Sequence, residues 1–209
     1  MVSQTDTFLG QLIRSIFQYP YNHVSVTLDP ELRVWYSFAR YVQDAPFYGG
    51  FVQEPAERFL AKNACMQVRI FRIDISEGHA MQLEQFFSGA DSSSPRLLYN
   101  YYEALACCVG LHVSVPNAHT CLNFAGTVLG RQFRSIEALS NELRPGLYFE
   151  GDLSRLVTDS GCRDDRYFSR MGLVRGTANA LMQLGILSCR LVRHAFNRCM
   201  GRRFHRTVH

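Results

Sequence analysis

The sequence predicts an α+β domain over residues 1–160, an antiparallel sheet packed on a helix that bears a cysteine, followed by a basic helical tail over residues 161–209. Three observations carry that expectation. Tyr21–Leu28, Arg33–Phe38 and Cys65–Ile75 alternate apolar and polar residues with the period of two that half-buried strands show. Leu122, Ala125, Val128 and Leu129 recur at helical spacing behind the turn-prone pair Pro116 and Asn117, which puts Cys121 in the first turn of a helix. The charge then changes along the chain: ten Arg and two Asp after residue 160 (+8) follow 12 basic and 16 acidic residues before it (−4), for a net +4.

Composition narrows the class further. A hydrophobic content of 47% and an aromatic content of 12% in 209 residues support a folded core and exclude a disordered polymer. Seven cysteines at irregular spacing argue against a disulfide framework. Met1–Thr7 has no basic segment of the kind that opens a secretion signal, so the expected location is the cytosol, where thiols stay reduced. In the tail, the uncharged stretch from Gly176 to Cys189 falls short of the ~20 apolar residues that a spanning helix needs.

In chain order, Asp6 or Thr7 is expected to cap a first helix with an apolar stripe of Phe8, Leu9, Leu12, Ile13 and Ile16, stopped by Tyr19–Tyr21. A strand carrying His23 follows, and Asp29–Glu31 turns the chain into an antiparallel partner over Arg33–Phe38. A three-residue turn would set Ser37 opposite His23, within the ~5 Å that separates cross-strand Cβ atoms. Asp44–Phe51 reads as an irregular loop beside a cleft, with Gly49 and Gly50 as its hinge. Ser76 caps a helix to Phe87, Asp91–Pro95 is a loop, and Leu97–Val109 is a helix in the core. Beyond the Cys121 helix come a short helix over Ser135–Leu143, an extended piece over Leu147–Leu153, a linker at Ser160–Asp165 and the tail helix. In that helix Val174, Ala178, Leu181, Leu184, Leu191, Val192 and Ala195 share one side.

The chemistry centres on Cys121 and His23. Unpaired N–H groups and the dipole at a helix start favour thiolate over thiol, and an imidazole titrating near neutrality suits the base that such a nucleophile requires. Cys107, Cys108, His112, His119 and Cys121 are soft ligands, but without paired Cys-x-x-Cys spacing they do not read as a zinc site, and His119 reads as a loop residue. No cofactor and no metal is expected. The arginines of the tail are not interleaved with aromatic residues, which weighs against nucleic acid. They fit either a helix docked on the domain or a contact with an anionic membrane surface.

Laid out together, Tyr21–Asp29, Trp35–Arg40 with Gly50–Glu54, Thr120–Leu129 and Leu147–Leu153 resemble the circularly permuted papain-like cysteine hydrolases of the NlpC superfamily. The nearest branch is the YiiX/YebB type, related to lecithin:retinol acyltransferases. The match spans roughly residues 8 to 156, with histidine before cysteine as the permutation requires. The chain departs from the pattern at Leu122 and Asn123, where relatives carry a small or acidic residue. The resemblance implies Cys121 as nucleophile, His23 as base and a third polar residue on the following strand, for which Ser37 is the choice and Tyr36 the fallback. It implies hydrolysis or acyl transfer at an amide or ester of a peptide or lipid, through a thioester. The alternative is an inactive papain-like scaffold that works through its basic tail, at a membrane surface or on a protein.

Overall fold

A computed structural model describes residues 1–5, 8–62, 65–90, 97–157 and 165–206. The expected cap at Asp6 or Thr7, the loop at Asp91–Pro95 and most of the linker lie outside them. The architecture is mixed α+β, with two four-stranded sheets and seven α-helices among the described residues. The strands are β1 (Val2–Ser3), β2 (His23–Val24), β3 (Val34–Arg40), β4 (Gly49–Pro55), β5 (Gln67–Phe71), β6 (Leu98–Tyr99), β7 (Ala118–His119) and β8 (Leu147–Asp152). The helices are α1 (Phe8–Phe17), α2 (Ala56–Lys62), α3 (Glu77–Gly89), α4 (Tyr101–Ala106), α5 (Cys121–Val128), α6 (Ile136–Glu142) and α7 (Leu173–Arg206).

One sheet runs β2-β1-β5-β8 and the other β3-β4-β6-β7. The single antiparallel sheet expected from the sequence is therefore two, and β6 and β7 pair in parallel. β2 pairs with β1, Ser3 with His23 and Val2 with Val24, and so belongs to a different sheet from β3. Among the described residues the two segments meet at a single β-bridge, between Val26 and Tyr36. The connection is longer than a three-residue turn. Leu32 adopts φ 59°, the Asp29 carboxylate accepts from the backbone N–H of Glu31 and Arg33, and the Thr27 hydroxyl donates to the carbonyl of Val34. Ser37 consequently lies across from Val52 of β4 rather than His23.

Gly49 and Gly50 open β4 and do not form a hinge. Their missing side chains allow close approach: a Cβ on Gly50 would stand 2.1 Å from the Tyr41 hydroxyl, and one on Gly49 would stand 2.5 Å from the carbonyl oxygen of Ala39. The expected core helix over Leu97–Val109 resolves into β6, α4 and a 3₁₀ turn at Cys107–Val109. Asn100 interrupts it by capping α4, its side-chain oxygen accepting from the Glu103 N–H at 3.1 Å, and Leu105 and Val109 face solvent.

α5 touches β2 of one sheet and β3 and β7 of the other, so the helix that carries Cys121 spans the junction of the two sheets. Its inner face is set by Cys121, Phe124, Ala125 and Gly126, all buried. Phe124 joins Phe38, Phe51 and Phe87 in an aromatic cluster, while Cys121 and Ala125 pack with Val2, Tyr21, Val24 and Leu139. Trp35, Phe59, Met66, Val68 and Leu153 form a separate buried group between β5 and α2.

α7 docks by a face that keeps Leu184 and Leu191 of the expected stripe but is rotated away from the rest of it. Gln183 and Leu187 are fully buried, with Leu184, Ile186 and Leu191 packed beside them, whereas Val174, Leu181 and Val192 are exposed. The Gln183 side chain sets this rotation, because its amide oxygen accepts from the Gly49 N–H at 3.0 Å and its NH₂ donates to the Gly49 carbonyl. No described helix is long and apolar enough to cross a membrane.

Candidate active site

Cys121 occupies the first position of α5. Thr120 precedes it with extended backbone and a hydroxyl that accepts from the Asn123 N–H at 3.2 Å, closing the first turn with the Cys121 N–H left outside the helical ladder. β1 and β2 bring His23 to the same place from the other end of the chain. His23 and Cys121 are both buried, line the same cleft and lie close enough for the sulfur to bear on the titration of the ring. The ring is held by Glu54, whose Oε2 lies 3.2 Å from His23 Nε2.

Glu54 is 2% exposed and is the centre of a polar network. The Ser25 hydroxyl donates to its Oε2 at 3.3 Å and the Ser37 hydroxyl donates at 2.5 Å. Arg58 stands one helical turn further on, 4.0 Å from Oε1, and pairs through two nitrogens with Asp165 while lying over the Tyr167 ring at 5.1 Å. A buried carboxylate needs this many donors to remain ionised.

The electrostatic result is clear at His23. Burial alone would lower its pKa, but the Glu54 carboxylate, its hydrogen bond to the ring and the neighbouring Cys121 sulfur outweigh it and push the value up to about 10. At neutral pH the ring is an imidazolium, the counter-charge that a thiolate nucleophile needs. His119 is shifted the opposite way: burial lowers its pKa, and its ring packs on Phe38 at 5.1 Å.

The sequence-based choices for the third group are corrected by this geometry. Ser37 hydrogen-bonds to the carboxylate and not to the imidazole, and Tyr36 points to the opposite face of β3, stacked on Phe87 at 4.2 Å. Glu54 was missed. It closes the Gly50–Glu54 block, and its signal in sequence is a lone acid in β4 after Phe51, Val52 and Gln53. That signal gains meaning only when β4 pairs with β3, placing Glu54 across from Trp35 on the same face as Ser37.

His23, Glu54 and Cys121 line a cleft of about 390 Å³ together with Phe38, Phe47 and Tyr99. A second cavity of about 80 Å³ reaches Cys121 from the side of Tyr21, Glu103 and His112. Cys121 thus belongs to the walls of both cavities. Among the described residues no three His, Cys, Asp or Glu side chains are grouped to hold a metal. Cys65, Cys107, Cys108, Cys121 and Cys189 carry free thiols. No family model matches the chain, and no curated protein or solved structure does either.

Proposed function

We propose that this protein is a cysteine-dependent hydrolase or acyltransferase of the permuted papain-like kind, cleaving an amide or ester through a thioester. The observation that carries the reading is His23, set with Cys121 in the wall of one cleft and hydrogen-bonded to the buried carboxylate of Glu54. The Cys121 sulfur adds to the substrate carbonyl, and the oxyanion is met by the Cys121 N–H at the start of α5. The imidazolium then gives its proton to the leaving nitrogen or oxygen as that bond breaks, leaving a thioester and a neutral imidazole. Water or an acceptor alcohol or amine attacks the thioester, the imidazole takes its proton, and the sulfur departs. Glu54 holds the ring in one orientation and stabilises its charge throughout. No step calls on a cofactor.

Alkylation by iodoacetamide at pH 7, mapped by peptide mass spectrometry, tests this. A buried inert thiol reacts more slowly than exposed ones, so an activated Cys121 should outpace the exposed Cys65 and Cys189, and His23→Ala should abolish its lead. A Cys121 that lags behind Cys65 and is indifferent to His23→Ala overturns the proposal.

One observation favours a second reading, a scaffold that attaches to an anionic membrane surface. α7 exposes Val174, Leu181, Val192 and Phe196, and residues 166–209 contain no Asp or Glu among their arginines. Flotation with phosphatidylserine vesicles but not phosphatidylcholine vesicles is expected, and lost when those four residues are changed to Ser. Equal flotation of that variant, or none by the unaltered protein, removes the reading.

A further inference from the structure

The cleft that contains Cys121 also holds a charge that neither the nucleophile nor its base uses. Arg40, the last residue of β3, lines it and pairs across the sheet with Gly49. Its guanidinium donates to the Gln43 carbonyl at 2.8 Å and to the Tyr167 hydroxyl at 3.0 Å, and sits 6.0 Å from the Tyr167 ring centroid. All of these partners are neutral. Among the described residues Arg40 forms no ion pair, unlike Arg58, which lies between Glu54 and Asp165. The carboxylate that shares this cleft, Glu54, is already engaged by His23, Ser25 and Ser37, and a half-buried guanidinium without an ion pair is costly unless something carries its counter-charge.

The second observation is independent. Tyr101 also lines the cleft, is 3% exposed, and its hydroxyl has no hydrogen-bond partner among the described residues. That hydroxyl lies beside Gly49, 2.9 Å from where a Cβ on that residue would stand, and so next to the strand position that faces Arg40. Burial raises its pKa well above the usual phenol range, and Arg40 is close enough for its charge to oppose the shift, so the group is present as a donor. Buried hydroxyls are ordinarily satisfied, so one without an acceptor stays available to a ligand atom. Here a cation without an ion pair and an O–H donor without an acceptor line the same cleft.

Resting on the hydrolase reading, we infer that the substrate carries a carboxylate, held by the Arg40 guanidinium and the Tyr101 hydroxyl while its amide or ester lies at Cys121. A planar cation and one phenol supply donors to the two oxygens of a single carboxylate. Away from His23 and Glu54, Phe38, Phe47 and Leu105 give the cleft apolar walls. The substrate class is therefore an amide or ester with an acidic end and an apolar body, as in an acidic peptide or an acylated amino acid. Neutral lipid esters are excluded.

The test uses the full-length protein and N-chloroacetyl ω-amino acids with one to five methylenes, each compared with its primary amide. The Cys121 sulfur displaces chloride in both series, forming a C–S bond as the C–Cl bond breaks, so the pair differs only in charge. Each rate is divided by the same variant's iodoacetamide rate at Cys121, which corrects for any loss of fold or thiol reactivity. At one or two chain lengths the acid is expected to react at least tenfold faster than its amide. That ratio should fall to about one in Arg40→Gln, partly recover in Arg40→Lys, and drop severalfold in Tyr101→Phe. A ratio near one at every length in the unaltered protein, or one that survives in Arg40→Gln, overturns the inference while leaving the nucleophile intact. A phosphonate series that outruns the acids overturns the carboxylate assignment. Failure of iodoacetamide itself to label Cys121 overturns both this inference and the hydrolase reading.

Discussion

His23 and His119 both come close to Cys121 in the fold, one in the strand that α5 packs against and one two residues before the sulfur, yet they are opposite kinds of residue. His23 faces a carboxylate, and its pKa is pushed up to about 10; His119 faces Phe38, and burial pushes its pKa down from the usual 6.5. Proximity in sequence would favour His119 as the partner of the cysteine. The difference teaches that burial by itself turns an imidazole into packing, and that a buried ionised neighbour is what turns one into an acid and base.

The sharpest way to break the comparison is to remove each ring. His23→Ala should lower the Cys121 alkylation rate at pH 7 by about a hundredfold or more, the size of a lost general acid–base partner. Next in size is Glu54→Gln. It strips the counter-charge from a buried imidazolium and from Arg58, and should cost about 3 kcal/mol in urea denaturation at pH 6. The pH dependence sharpens the same point. Because folding raises the His23 pKa, its stabilisation is complete below pH 6.5 and drains away as the pH rises towards about 10. Glu54→Gln should flatten that alkaline decline.

Ser37→Ala removes one donor to Glu54 and should cost about 1.5 kcal/mol, with the alkylation rate falling only severalfold, since the carboxylate keeps Ser25 and His23. The smallest effect on rate is expected from His119→Phe, less than about threefold, whereas a role for His119 as base would repeat the loss seen at His23. Its effect on stability has the opposite sign with pH. A lowered pKa withdraws stability as the pH falls below 6.5, so His119→Phe should flatten the acid limb of the profile and leave the alkaline one unchanged.

Much of the site was legible in short segments. The start of α5 at Cys121 follows from Thr120 as a cap and the helical spacing of Phe124, Ala125 and Val128, all contacts within one or two turns. β3 and β8 were likewise visible in their own residues. The pairing partners were not. The expected return from the His23 strand to β3 survives as the antiparallel bridge between Val26 and Tyr36, but its register and common sheet do not: β2 pairs with β1, twenty residues earlier, and no periodicity within either strand encodes that choice. Glu54 escaped notice for the same reason. Between Gln53 and Pro55 a carboxylate reads as a solvated strand end, and only the register against Trp35 carries it under the His23 ring. The tail helix was legible as a helix, but not its rotation, which Gln183 sets through the backbone of Gly49.

Local sequence was enough to place α1, α3, β3 and a thiol at a helix start, because those features depend on neighbours a few residues apart, but it read the opening of β4 as a loop and β6 with α4 as one helix. Tertiary structure alone decided which carboxylate meets the imidazole, that Arg40 and Tyr101 share a cleft with Cys121, and which face of α7 is covered. These depend on long-range pairings among strands and helices, where many registers satisfy local preference equally and only the packing of the whole chain selects one.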